Sequence, residues 1–140
     1  MNYDLIVIGS GPGGYVAAIR ASQLGLKVAV VEKSELGGIC LNWGCIPTKA
    51  LLKSAQVYTY FKHASDYGIQ FEGQIKPDFE AVVKRSRGVA ENMSKGIQYL
   101  FKKNNIEVIN GFGKVKPAKT VEVTDKDGNI KEYTANSIII

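Results

Sequence analysis

The 140-residue sequence predicts one α/β domain, a parallel sheet with flanking helices followed by a small antiparallel β-meander. Two short aliphatic runs, Leu5-Ile6-Val7-Ile8 and Val28-Ala29-Val30-Val31, have the composition of parallel strands buried on both faces. A stretch of helical spacing separates them, giving a βαβ unit with a right-handed crossover. Beyond residue 106 the periodicity shortens toward two, the mark of strands.

Taken in order, residues 12–24, with apolar positions Val16, Ala17, Ile19, Ala21 and Leu24, suit a helix that sets small residues against a sheet, and Gly25 suits the residue just past the helix end. Residues 49–63, with Leu51, Leu52, Ala55 and Tyr58, read as a second helix. Residues 66–76 are a surface connection, and Pro77-Asp78 supplies the N-cap of a long helix reaching about Lys103. Its stripe of Phe79, Val82, Val83, Val89, Met93, Ile97, Leu100 and Phe101 predicts a core-facing helix. Short strands follow at 107–110, 112–116, 121–124 and 131–133, with a hairpin turn at 125–129 and a sharp reversal bracketed by Gly111 and Gly113. Ser137-Ile138-Ile139-Ile140 opens a separate apolar strand, which leads us to expect the N-terminal portion of a longer protein. An intact mass of only 15.2 kDa for natural material would remove that expectation.

The apolar content of 45% and charged content of 22% are those of a globular domain and exclude a disordered chain. A net charge of +5 invites a nucleic-acid reading, but the lysines are dispersed. The densest group, Lys114, Lys116 and Lys119, alternates with Val115 as a solvated strand face would. No apolar run reaches membrane-spanning length, and Asn2-Tyr3-Asp4 lacks the basic start of a secretion signal. We therefore expect a cytoplasmic protein without nucleic-acid or membrane partners, in a compartment where disulfides are transient and catalytic.

Gly9-Ser10-Gly11-Pro12-Gly13-Gly14 satisfies G-x-G-x-x-G with a strand before it and a helix after it. Gly9 permits the tight turn, Gly11 lets a pyrophosphate approach the backbone, and Gly14 allows the helix to pack closely on the strand. The helix start offers free N–H groups to phosphate charge. Glu32, 21 residues after Gly11, ends the second strand where a carboxylate can accept from ribose hydroxyls. It would repel a 2′-phosphate, which disfavours NADP and leaves NAD and FAD open.

Cys40 and Cys45, the only two cysteines, follow in Gly37-Gly38-Ile39-Cys40-Leu41-Asn42-Trp43-Gly44-Cys45-Ile46-Pro47-Thr48-Lys49. In a regular helix their Cα atoms would stand roughly 8.7 Å apart and about 140° around the axis. That exceeds the roughly 7 Å limit for a disulfide, so pairing requires a bent first turn, which Gly44 and Pro47 supply. A helix N-terminus would lower a thiol pKa there. Two ordinary buried thiols are the alternative; a metal site is weaker, because no second Cys or His pair exists. His63, the one histidine, reads as a helix-surface residue.

With these motifs the chain resembles, over all 140 residues, the FAD-dependent pyridine nucleotide-disulfide oxidoreductases. Ala50-Leu51-Leu52 after Lys49 looks more like the lipoamide branch than like the glutathione or mercuric reductases. The resemblance implies a Rossmann-like FAD-binding domain over residues 1–140. In it Gly9, Ser10, Gly11, Pro12, Gly13 and Gly14 bind the FAD pyrophosphate, Glu32 binds the adenosine ribose, and Lys33 borders that site. Gly38 and Cys40 approach the flavin half, Lys49 lies near its reactive edge, and Gly113 meets the adenine through its backbone.

By the same resemblance Cys40 is the interchange thiol and Cys45 the thiol facing the flavin. Dihydrolipoamide, carried on a 2-oxoacid dehydrogenase complex or the glycine cleavage system, would reduce the disulfide, and electrons would pass through FAD to NAD. The family's NAD-binding and dimer-interface domains, the latter with a catalytic histidine and its glutamate partner, have no counterpart here. A longer homodimer is thus implied, and a segment that does not turn over alone. A related disulfide or mercuric reductase is the nearer alternative, and a flavin or nucleotide-binding module without hydride transfer the more distant one.

Overall fold

The computed structural model describes residues 2–140; Met1 of the expected 1–140 domain lies outside them. The elements are β1 (Asn2–Ile8), α1 (Pro12–Gln23), β2 (Val28–Glu32), α2 (Gly38–Asn42), α3 (Cys45–Lys62), α4 (Phe79–Lys103), β3 (Glu107–Asn110), β4 (Phe112–Lys116), β5 (Thr120–Thr124) and β6 (Ile130–Ile139). A 3-10 turn, Ala64–Tyr67, follows α3. Six strands run in the order β3-β2-β1-β6-β5-β4. Parallel pairing joins β3, β2, β1 and β6, and antiparallel pairing joins β6, β5 and β4. This is the predicted α/β class, a Rossmann-like sheet with an appended meander.

Strand composition sets the two cores. All five residues of β2 are buried, so its alternating side chains serve both faces. Leu5, Val7, Val28 and Val30 meet Ala18, Ala21, Leu41, Ile97 and Phe101 on the helical side. On the other side Ile6, Ala29, Val31 and Ile109 meet Val121, Val123 and Ala135 of the meander. Each such large aliphatic or aromatic side chain contributes about 1.5–3 kcal/mol by leaving water. The end of α1 is as predicted: Gly25 takes φ +88°, its N–H bonds the Ser22 carbonyl, and the Leu26 N–H bonds the Ala21 carbonyl.

Four expectations need correction. The second helix begins at Cys45, not residue 49, and the unforeseen five-residue α2 precedes it. The stripe of α4 faces the core only toward its C-terminus: Ser86, Ala90, Ser94, Ile97 and Phe101 are buried, while Phe79, Val83 and Met93 are exposed. Small residues on that face let α4 lie close to the cysteine-bearing segment, which rotates the larger apolar residues outward.

Residues 131–133 and 137–139 belong to one ten-residue strand, with Ile140 just beyond its end. Thr134 pairs with Thr120 on one side and Asn2 on the other, so β6 passes from meander to parallel sheet without a break. Asn136, a poor strand former, is held by its side-chain amide donating to Asp4 at 3.1 Å. Finally, the sharp reversal expected between Gly111 and Gly113 is a crossing: β3 and β4 do not pair, and the chain passes from one end of the sheet order to the other, with Gly111 at φ +152°.

Candidate nucleotide and thiol site

The glycine loop leaves the sheet at Gly9, whose φ of +96° requires glycine and whose N–H still bonds the Val31 carbonyl at 2.8 Å. Gly11 is the N-cap of α1, Pro12 its first residue, and no acidic residue occupies the first turn. The Tyr15 N–H to Gly11 carbonyl bond, 2.9 Å, opens the helical ladder. Earlier N–H groups therefore lack an intrahelical partner and face outward with the positive end of the helix. A Cβ on Gly14 would overlap the Gly9 carbonyl, whereas the space beside Gly11 and Gly13 is open. These features fit a pyrophosphate: a tight loop backed by helix, with its donors uncovered.

Glu32 is 8% exposed and locked. Its Oε2 accepts from the Ser10 N–H at 2.9 Å and the Ser10 hydroxyl at 2.6 Å, and its Oε1 accepts from the Ser34 N–H at 2.9 Å. Burial alone would raise its pKa, but the combined hydrogen bonds from Ser10, Ser34 and the Lys33 backbone hold it below the usual carboxylate range. Ile8, Gly9, Val31, Glu32, Lys33, Gly111, Phe112 and Gly113 enclose a cavity of about 180 Å³ at the ends of β1 and β2. Four residues singled out from sequence, Gly9, Glu32, Lys33 and Gly113, thus share one cavity. Gly113 is small for a reason, since a Cβ would come within 3.1 Å of Val31 and 3.2 Å of Ile8.

Ser10 is wholly buried and joins the loop to the thiol segment. Its hydroxyl, besides donating to Glu32, accepts from the Gly37 N–H at 3.2 Å. Gly37 and Gly38 take φ +95° and +62°, and a Cβ on Gly38 would stand 2.9 Å from the Gly11 Cα. The segment that carries the cysteines is therefore seated directly on the nucleotide loop.

The required bend is a full break. Cys40 lies in α2, Trp43 caps it, Gly44 turns the chain with φ −122° and ψ −107°, and Cys45 opens α3. Gly44 passes close to Cys40, for a Cβ there would lie 3.5 Å from the Cys40 Cα. Pro47 sits buried in the first turn of α3, where a missing N–H is harmless. Both cysteines are free thiols, Cys40 half-buried and Cys45 exposed. Hydrogen bonding to Cys45, partial burial and repulsion from that sulfur push the thiol pKa of Cys40 up, against the opposing pull of Lys49. Lys49 is exposed one turn along α3, and Pro12 and Gly13 are exposed at the outer rim of the loop.

Composition alone missed the contribution of α4. The Ser94 hydroxyl donates to the Leu36 carbonyl at 2.9 Å, and Arg85 to the Ala50 carbonyl at 2.9 Å. Arg87 donates to the Asn42 carbonyl at 2.5 Å and stacks its guanidinium 4.2 Å above the Trp43 ring. The Asn42 amide ties the same segment internally, donating to the Leu36 and Gly38 carbonyls, both at 3.0 Å. The usable sequence signal was an Arg-Ser-Arg run inside an otherwise apolar stripe. Among the described residues no group of three His, Cys, Asp or Glu could hold a metal ion, and no helix is long and apolar enough to cross a membrane.

Fold and site together define a dinucleotide-binding domain with a thiol pair docked on its phosphate loop. Residues 3–140 match the pyridine nucleotide-disulphide oxidoreductase family, and the chain belongs to that family. It is 60% identical over 121 residues to the dihydrolipoyl dehydrogenase of Rhizobium etli, covering 86% of this chain and 25% of that protein. It is 51% identical to the protein of that name from Zymomonas mobilis, covering 99% of this chain and 30% of the relative. For the Acholeplasma laidlawii dihydrolipoyl dehydrogenase the identity is 46%, with 99% and 42% covered. The chain thus spans less than half the length of these curated relatives.

Proposed function

We propose that the chain is the FAD-binding, thiol-bearing portion of a dihydrolipoyl dehydrogenase that oxidises dihydrolipoamide and reduces NAD. The observation that carries this reading is Ser10, whose hydroxyl bridges the Glu32 carboxylate and the Gly37 N–H and so couples nucleotide loop to thiol segment. The identities to proteins named dihydrolipoyl dehydrogenase favour the lipoamide branch over a related disulfide or mercuric reductase.

In this reading the first turn of α1, with Gly9 to Gly14, holds the pyrophosphate. Glu32 holds the ribose, with Lys33 at its border, and Gly113 supports the adenine with Ile8, Val31 and Phe112. Gly38, Cys40 and Lys49 border the flavin half. FAD supplies a two-electron acceptor between the thiols and NAD. The exchange itself needs only sulfur. One substrate thiolate attacks the Cys40 sulfur of a Cys40–Cys45 disulfide and releases Cys45 as thiolate; the second attacks the mixed disulfide, releases Cys40, and the substrate leaves as a cyclic disulfide. Two electrons thereby reach the cysteines, and the two substrate protons must be carried away.

Hydrogen bonding to Cys45 and partial burial push the Cys40 thiol pKa up, and a proton released in the exchange needs a base. His63 cannot take it, because it caps the far end of the 18-residue α3, about 27 Å along the axis from Cys45. In this reading a homodimer's partner subunit supplies the exchange base. The lipoyl group would arrive on a 2-oxoacid dehydrogenase complex or the glycine cleavage system.

The test uses the full-length protein. It should be isolated yellow with flavin; without NAD, dihydrolipoamide should convert two blocked cysteines into two that can be alkylated, and adding NAD should form NADH as the cysteines return to the disulfide. Cys45→Ser should abolish NAD reduction while flavin stays bound. A protein without flavin, or one whose cysteines do not respond to dihydrolipoamide, would remove the proposal.

A further inference from the structure

Three side chains of α4 grip backbone carbonyls spaced along the cysteine segment: Leu36 before Cys40, Asn42 between the cysteines, and Ala50 after Cys45. Only the middle grip falls on the break. We propose that Arg87 is a positioning residue for the Cys40–Cys45 couple, holding the Asn42-Trp43-Gly44 break in the geometry that keeps the two sulfurs adjacent. This rests on the reading that the pair cycles between dithiol and disulfide.

Other bonds hold each side of the break, and Arg87 ties it to a separate helix. Trp43 closes α2 through its N–H to the Ile39 carbonyl at 2.8 Å and its side chain hydrogen-bonds Glu35, while Gly44 contributes no side chain, only its carbonyl accepting the Thr48 N–H at 3.1 Å. Asn42 stands at the end of α2, where a carbonyl lacks a helical partner, and Arg87 supplies one. The same planar guanidinium lies on the Trp43 ring, so one side chain pins two successive residues just ahead of the flexible glycine. Arg87 is half-buried and rises from a 25-residue helix that packs along α2 and α3, which makes it a firm anchor.

Fixing the break raises the effective concentration of one thiol at the other, because fewer backbone states separate the sulfurs. That favours the disulfide over the dithiol. Releasing Arg87 should therefore shift the couple toward dithiol without touching either cysteine.

The measurement is the thiol–disulfide equilibrium of the full-length, flavin-loaded protein in dithiothreitol buffers of graded oxidised-to-reduced ratio. Protein dithiol and oxidised dithiothreitol give protein disulfide and reduced dithiothreitol, so two electrons and two protons change hands. Acid quenching, alkylation and mass spectrometry count the thiols. Arg87→Met should lower the constant for disulfide formation about tenfold, or ~30 mV. Arg85→Met, which removes a charge and a hydrogen bond from the same helix away from the break, should stay within twofold of wild type.

An Arg87→Met constant within twofold of wild type overturns the proposal, as does an equal fall in Arg85→Met. Should Arg87→Met fail to fold, Arg87→Lys carries the test. Its ammonium keeps the charge but cannot stack and donate together, so a fall of about threefold is expected and no change overturns the assignment. Failure of the underlying reading looks different: the wild-type protein would then form no Cys40–Cys45 disulfide at any buffer ratio.

Discussion

Ser10 and Glu32 form the joint on which the site turns, and both changes and pH can probe it. Ser10→Ala removes the 2.6 Å bond to Glu32 and the acceptor for Gly37 together. Hydrogen bonds to a charged group contribute about 1.5–3 kcal/mol, so a loss of ~2 kcal/mol is expected in urea unfolding. Because the folded-state pKa of Glu32 lies below its ordinary value of 4.5, its stabilisation is fully present above that value and is lost as pH falls through the lower folded-state pKa. The stability gap between wild type and Glu32→Gln should hold at pH 6 and narrow progressively as pH falls below 4.5. A gap that widened toward acid would contradict the hydrogen-bond scheme. Both residues were legible in the sequence as candidate site residues, because motif and spacing mark them, and the structure brings them together. The hydroxyl's second task was not, since Gly37 approaches Ser10 only through the folded turn.

Among the elements, α4 shows how far a hydrophobic stripe can be trusted. Asp78 behaves as the sequence says, its carboxylate accepting from the Ala81 N–H at 3.0 Å. Asp78→Ala should cost about 1 kcal/mol and fray the first turn in amide exchange. Phe101 and Phe79 sit on the same apolar stripe but differ in exposure, 1% against 75%. Phe101→Ala should destabilise by about 3–5 kcal/mol through the cavity it leaves, and Phe79→Ala by no more than about 0.5 kcal/mol. Comparable losses would show that the stripe is buried throughout. Periodicity identifies a helix and its apolar side, but it cannot say which turns reach the core. That is decided by small residues such as Ala90 and Ser94, which carry little hydrophobic signal. The break between α2 and α3 was half legible: Gly44 announced a bend, while the continuing helical composition concealed how complete it is.

At the scale of the molecule, the sheet is covered on one face by helices and on the other by the meander, and Gly111 makes the crossing between them. A Cβ there would come within 2.5 Å of the Thr124 carbonyl, at a φ of +152° that side chains rarely adopt. Gly111→Ala should therefore cost more than about 2 kcal/mol and loosen the cavity walled by Phe112 and Gly113. Binding of FAD to the full-length variant should weaken in parallel, read as flavin lost on dilution; unchanged retention would separate the crossing from the cavity. The α/β class was readable because buried strands and glycine loops are local signals. The union of two apparent strands into β6 was not, because Asn136 owes its extended backbone to Asp4, far away in sequence.

Asn2 is paired with Thr134, 132 residues later, so β1 has a bare flank until β6 arrives. At a synthesis rate of about 5–20 residues per second, the aliphatic first strand waits roughly ten seconds on the ribosome without its neighbour. During translation that strand is a natural client for a holding chaperone, and the arrival of β6 decides when the hazard ends.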